Sequence, residues 1–259
     1  MCNESSEVWE GSTPPRFGRK EENISFSLLT YGRKYTQKRR AVQIIVNFAP
    51  VMKAGVLVAM QSEYDALRRS GVACVEKSGI GKVNAASAAT QMILCSRPDC
   101  IINSGCAGSL CAGVEVMDVV VGAQCAYHDV WCGEPNEPGA VEGEPQRFDA
   151  DPHLLAAAVA IRPETGSLHS GLICTGDQFF ISREEDMRIL SLYPDALASD
   201  MESAAVAQVC RRYGVPFLSL RVISDIHVSE SVQRRSYEGF WNDISDNSFS
   251  VLARLLETL

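Results

Sequence analysis

The chain is predicted to be an α/β protein, a three-layer α/β/α sandwich around a central mixed sheet. Three observations lead there. Apolar runs of strand length, such as Gly55–Met60, carry no polar residue, as expected for strands covered on both faces. Helical stretches, several of them Ala-rich, alternate with these runs. Glycine-rich turns and acidic residues recur where a strand passes into the next element, the edge at which open α/β sheets bind ligands.

Taken in order, Met1 to Lys20 is polar, with Pro14-Pro15 and several glycines, and reads as a flexible arm. Residues 33–40 hold Arg33, Lys34, Lys38, Arg39 and Arg40, diluted by the preceding glutamates. Residues 41–48 have the composition of an added strand. Residues 1–50 are therefore expected to be an N-terminal extension and 51–259 a single domain, since nothing resembling a linker follows residue 50. Within that domain Gly55–Met60 reads as a strand and Glu63–Arg69 as a short helix. Gly79-Ile80-Gly81-Lys82 is a turn and Val83–Cys95 an Ala-rich helix that ends before Pro98. Cys100–Ile102 is a strand leading into a small-residue turn, Asn103-Ser104-Gly105-Cys106-Ala107-Gly108-Ser109. Val114–Val121 and Ala123–Val130 read as two further strands, and 133–150 as loop. Pro152–Val159 is a helix, Gly171–Cys174 a strand entering Thr175-Gly176-Asp177-Gln178-Phe179-Phe180, and Arg183–Leu192 a helix. Met201–Tyr213 is a helix stopped by Gly214, Pro216–Val222 a strand, and Phe240–Leu256 the closing helix.

Bulk properties exclude several classes. A formal charge of -8 over 259 residues argues against nucleic-acid or anionic-membrane partners. The 10 cysteines are scattered through apolar stretches without a CxxC pair, and the 4 histidines are dispersed. Neither a disulfide framework nor a zinc site is expected, and a reducing, cytoplasmic setting follows. No stretch is long and charge-free enough to span a membrane.

Three acidic groups stand out. Glu63 follows the first apolar run. Glu202 lies in Ser199-Asp200-Met201-Glu202, at the start of a small-residue helix. Asp225 ends Arg221-Val222-Ile223-Ser224-Asp225. Three scattered carboxylates without a basic cluster point to acid/base work on a neutral polar molecule. On residue type alone Glu63 and Glu202 also read as first-turn helix acids, Met60 and Met201 as core residues, and Asp177 as a cap for amides in its own turn. Gly79-Ile80-Gly81-Lys82 is neither a Walker A loop nor GxGxxG. His128 and Asp129 are adjacent on an expected strand and point to opposite faces, so they form no dyad.

Six ordered pieces, Ala59-Met60 with Glu63, Ser78–Val83, Asn103–Gly108, Thr175–Phe179, Asp200-Met201-Glu202 and Ile223-Ser224-Asp225, carry a resemblance. From about Gly55 to the C-terminus the chain resembles the 5'-methylthioadenosine/S-adenosylhomocysteine nucleosidases of the purine nucleoside phosphorylase superfamily. The resemblance implies a nucleoside phosphorylase-like fold and hydrolysis of the N-glycosidic bond of 5'-methylthioadenosine or S-adenosylhomocysteine, releasing adenine, as in methionine salvage. It implies Glu63 as the carboxylate activating water and Asp225 as the acid serving adenine N7. Glu202 and Met201 would hold the ribose. Phe179, Phe180, Ser224, Ser104, Ala107 and Gly108 would surround the base, and Tyr237 and Met60 the 5' substituent. It also implies a homodimer, with Val130 and Trp131 as candidates for completing the 5' pocket, and neither metal nor organic cofactor. A phosphorolytic enzyme, or a nucleoside-binding protein without catalysis, is the alternative. Phosphorolysis would need arginines over the glycine turn. That turn offers only Lys82, with Arg68, Arg69 and Arg221 as other possible donors. One departure is plain: between Glu63 and Ser78 the chain is too short for the family's helix and two strands, so a truncated or rebuilt sheet edge is expected.

Overall fold

The computed structural model describes residues 52–179, 182–226 and 249–259. The expected extra strand at 41–48 and the rest of the N-terminal extension lie outside them. Among the described residues one eight-stranded mixed sheet forms the centre. β1 (Ala54–Val58) lies parallel to β2 (Val75–Lys77) on one side and to β3 (Cys100–Ser109) on the other. β4 (Val119–Tyr127) pairs antiparallel with β5 (Arg147–Asp149) and parallel with β6 (Leu168–Thr175). β7 (Ala196–Asp200) runs parallel to β6 and touches the end of β3 antiparallel. β8 (Phe217–Ile226) is parallel to β3 and antiparallel to β4. The circuit β3–β8–β4–β6–β7 returns to β3, so part of the sheet closes on itself.

The uninterrupted apolar runs explain the layering. Successive strand residues point to opposite faces. Val56, Val58, Ile102 and Val121 therefore pack on one side with Leu67, Leu154, Leu252 and Leu255. Their neighbours Leu57, Ile101 and Val120 pack on the other with Ala85, Ala89, Met92, Ala204 and Cys210. Each fully buried Leu or Ile contributes about 1.5–3 kcal/mol. The first side is covered by α1 (Gln61–Arg69), α3 (Pro152–Val159) and the C-terminal helix α6 (Ser250–Thr258). The second is covered by α2 (Lys82–Ser96) and α5 (Ser203–Tyr213), whose alanines let the helices approach closely. A smaller cluster lies under α4 (Arg183–Leu192).

Local signals set the helix ends. Asp151 accepts from the His153 and Leu154 amides at 2.9 and 3.1 Å, with Pro152 in the first turn of α3. Ser182 and Glu185 form a capping box on α4.

Several expectations need correction. The segment 103–109 is strand, not turn. β8 pairs with β3 from Ile101 to Ser109, with a bulge at Ala107/Gly108, and this ladder overrides the small polar residues that read as a turn. Val114–Val130 holds one strand, β4, not two. Gly122 lies within it at an irregularity in the pairing with β6, where a Cβ would come within 2.9 Å of Ile173. A glycine mid-strand here marks close packing, not a break. The 133–150 segment contributes β5, and the described part of the last helix is Ser250–Thr258. The shortened segment after α1 supplies a single three-residue strand, β2, as the sheet edge.

Candidate active site

Glu63, Glu202 and Asp225, 162 positions apart at the extremes of sequence, line one cavity of about 120 Å3. Each side chain is buried. Burying one carboxylate, let alone three, demands hydrogen bonds or counter-charge, and each has found them differently.

Glu63 sits in the first turn of α1 and reaches back across the end of β1. The Ala59 and Met60 amides donate to its Oε2 at 3.0 and 2.8 Å, and the Cys106 amide donates to Oε1 at 3.2 Å. Burial raises its pKa, against the opposing pull of these amides and of Arg221. The result is a fixed, strengthened base. Glu202 is the residue before α5. The Gly81 amide donates to its Oε1 at 2.9 Å, and Arg221 Nη2 lies 3.8 Å from its Oε2. Burial lifts its pKa to about 7, Arg221 opposing and Asp200 adding to the rise. Asp225, near the end of β8, accepts a 2.5 Å hydrogen bond from the Ser224 hydroxyl at Oδ1. Its Oδ2 faces Gly108, where a Cβ would stand 3.2 Å away.

Beneath them lies Arg221, 1% exposed. Its Nε donates to Asp200 at 2.6 Å, and its Nη2 donates to Ser203 Oγ at 3.0 Å and to Asn103 Oδ1. Asp200 also accepts from the Thr175 hydroxyl at 2.6 Å and from the Ser203 amide. Burial opposes the charge on Arg221, but Asp200 and Glu202 hold its pKa above the ordinary value. Gly105 makes room for the guanidinium: a Cβ there would be 2.7 Å from Arg221 Nη1 and 2.9 Å from Glu63 Oε1. The role of Arg221 as an internal counter-ion was not apparent from the sequence, which offered it only as a phosphate donor. The available signal was an arginine inside the apolar run Phe217–Ile223, since buried arginines are almost always paired.

Met60, Met201, Ala107, Gly108, Ser224 and Phe179 line the same cavity. Phe179 is 61% exposed at the cavity. Ser104 is buried in β3 but does not line the cavity. Cys106 does, its thiol pushed well up by burial and by Glu63. Phe180 and Tyr237 fall outside the described residues. The Asp177 carboxylate accepts from the Lys82 amide at the start of α2, at 2.7 Å. Among the described residues no three His, Cys, Asp or Glu side chains are grouped to hold a metal ion.

In sequence and in fold the chain is similar to known proteins. The phosphorylase superfamily model matches residues 67–257. The 5'-methylthioadenosine/S-adenosylhomocysteine nucleosidase of Tolumonas auensis is 33% identical over 232 residues, covering 80% of this chain and 100% of that protein. The crystal structure of the Neisseria meningitidis nucleosidase in complex with methylthio-immucillin-A is 33% identical, covers 80% of this chain and 99% of its own, and superposes with a TM-score of 0.72. The nucleosidase of Colwellia psychrerythraea 34H in complex with adenine is 29% identical, with a TM-score of 0.74 over 81% of this chain and 96% of its own. The chain belongs to the phosphorylase superfamily and, within it, to the 5'-methylthioadenosine/S-adenosylhomocysteine nucleosidases.

Proposed function

We propose that the chain hydrolyses the N-glycosidic bond of 5'-methylthioadenosine and S-adenosylhomocysteine and releases adenine. The observation that carries this reading is the convergence of Glu63, Glu202 and Asp225 on one cavity. Asp225 delivers a proton toward adenine N7 as the bond to ribose lengthens. A positioned acid of this kind contributes about 10²–10⁴ in rate. The sugar acquires oxocarbenium character, as in other glycoside hydrolyses. Glu63, oriented by three amides, takes the proton of the water that attacks C1'. Glu202 accepts hydrogen bonds from the ribose hydroxyls, Met201 packs against the sugar, and Met60 against the 5' substituent. Phe179 offers its exposed ring to the purine, a contact worth roughly 1–3 kcal/mol per base. Ser224, Ala107 and Gly108 bound the base.

Electrostatics favours water over phosphate as the nucleophile. Among the described residues lining the cavity, Arg221 is the cation, against four acids in the same lining, Asp200, Glu63, Glu202 and Asp225. It is already engaged by Asp200, and Lys82 by Asp129 at 2.7 Å. A doubly charged phosphate would enter a net acidic site.

Residues 51–259 act as the catalytic domain, with 1–50 an extension, in the cytoplasm, without metal or cofactor and apart from nucleic acid or membrane. Among the described residues no helix is long and apolar enough to cross a membrane. A second copy pairs with the first: Ile80, Val83 and Trp131 expose 51%, 79% and 65% of their surface beside the site-bearing loops, apolar area that a homodimer covers. Adenine release from 5'-methylthioadenosine, measured with and without phosphate, tests the reaction. Equal rates are expected, and Asp225→Asn is expected to bind a methylthioadenosine analogue while losing turnover. Phosphate-dependent release, or full turnover by that variant, overturns the reading. The solution mass of the full chain checks the dimer.

A further inference from the structure

We propose that Lys82, Asp129 and Asp177 form a positioning clamp that sets the spacing between the purine-facing ring of Phe179 and the ribose-facing carboxylate of Glu202. The proposal rests on the functional reading above. None of the three lines the cavity, so any effect on the reaction passes through other residues. Lys82 opens α2, Asp129 follows β4, and Asp177 follows β6. Lys82 Nζ donates to both Asp129 oxygens at 2.7 Å and lies 3.9 Å from Asp177 Oδ2. The Lys82 amide donates to Asp177 Oδ1 at 2.7 Å, and the Asp177 amide donates to Asp129 Oδ2 at 2.8 Å. The ammonium also stands 5.5 Å from the centre of the Tyr127 ring.

Three segments distant in sequence are thus joined in a closed ring of charge-assisted bonds. Isolated surface ion pairs contribute little because solvent screens them and long side chains must be ordered. Here the Lys82 and Asp129 side chains are only 21% and 20% exposed, and two main-chain amides take part. The packing leaves no slack: a Cβ on Gly176 would stand 2.3 Å from His128 and 2.9 Å from Asp129. The loop after β6 therefore rests directly on the end of β4.

Each end of the ring leads into the site. Gly81, adjacent to Lys82, donates its amide to Glu202 at 2.9 Å. Phe179 is two residues beyond Asp177 and lines the cavity. One set of bonds therefore holds the groups that grip the two halves of a nucleoside. Misplacement by ~1 Å can reduce such a site's efficiency by about 10².

The test uses the full chain, with 5'-methylthioadenosine as substrate and adenine as equilibrium ligand. Measurements are made well below each variant's melting temperature. In Lys82→Met, KM and the adenine Kd should rise about tenfold while kcat falls less than about threefold. Lys82→Arg should restore both. Lys82→Met combined with Asp129→Asn should cost no more than the worse single variant, since either breaks the ring. A merely structural role lowers the melting temperature without moving KM or Kd, and that result overturns the clamp, as do additive effects in the double variant. If Lys82→Met fails to fold, the near-isosteric Asp129→Asn carries the same KM and Kd readout. A parent protein that neither releases nor binds adenine overturns the functional reading and the clamp with it. Normal parent activity with unmoved variants overturns the clamp alone.

Discussion

Replacing Arg221 with Met removes the counter-ion under the cavity and nearly preserves the volume of its stem. The variant leaves Asp200 with hydroxyl and amide donors but no cation, and strips Glu63 and Glu202 of the positive charge that lowers both pKa values. Orphaning a buried ion in this way costs about 3–5 kcal/mol. Domains are stable by about 5–15 kcal/mol, so the loss is a large fraction of the whole. At roughly 2–4 °C per kcal/mol for a domain of this size, the melting midpoint of Arg221→Met should fall by about 10 °C. Arg221→Met/Asp200→Asn, which neutralises the stranded carboxylate and keeps one oxygen to accept from Thr175 and the Ser203 amide, should regain part of that loss without regaining activity. The sign of the pH effect follows from the charge. Without Arg221 the pKa of Glu63 climbs further, the ionised base is scarcer at a given pH, and the acid limb of adenine release moves to higher pH. Thermal melting of the parent and both variants, with kcat/KM measured across pH, reads every part of this. A midpoint within about 2 °C of the parent, with an unmoved acid limb, refutes the assignment of Arg221 as the internal counter-ion.

Two more predictions concern neighbours of that arginine. Glu202 has a pKa of about 7 in the fold against an ordinary value of 4.5; its stabilising, protonated form is complete below 4.5 and lost as pH rises through 7. Relative to Glu202→Gln, the parent should therefore lose roughly 3 kcal/mol of stability between those pH values, read from urea titrations of both proteins; parallel curves would contradict the burial of this carboxylate. Gly105→Ala would thrust a methyl to 2.7 Å from Arg221 and 2.9 Å from Glu63. It should destabilise the chain by about 1–3 kcal/mol and lower kcat/KM by about 10², and an alanine variant with parental melting and turnover would show that the two groups have room to move.

Much of the fold and of the candidate site was readable in the chain itself. The continuous apolar strands and the alanine-rich helices define the layers, because side-chain period acts over a few residues. Glu63, Glu202 and Asp225 could be singled out as acids at element junctions, and the six ordered pieces tied them to a family. Their convergence needed tertiary structure. It depends on β3 and β8 pairing along their length, which turned the small-residue stretch 103–109 into strand and brought Cys106, not Ser104, to the cavity. Only packing decided which cation neutralises which acid. Arg221 serves Asp200, and Lys82 joins Asp129 to Asp177, through contacts between residues 21 to 95 positions apart. Local sequence dictates what a segment prefers to be. The charges it will be buried beside are set by neighbours it meets only when the sheet is assembled.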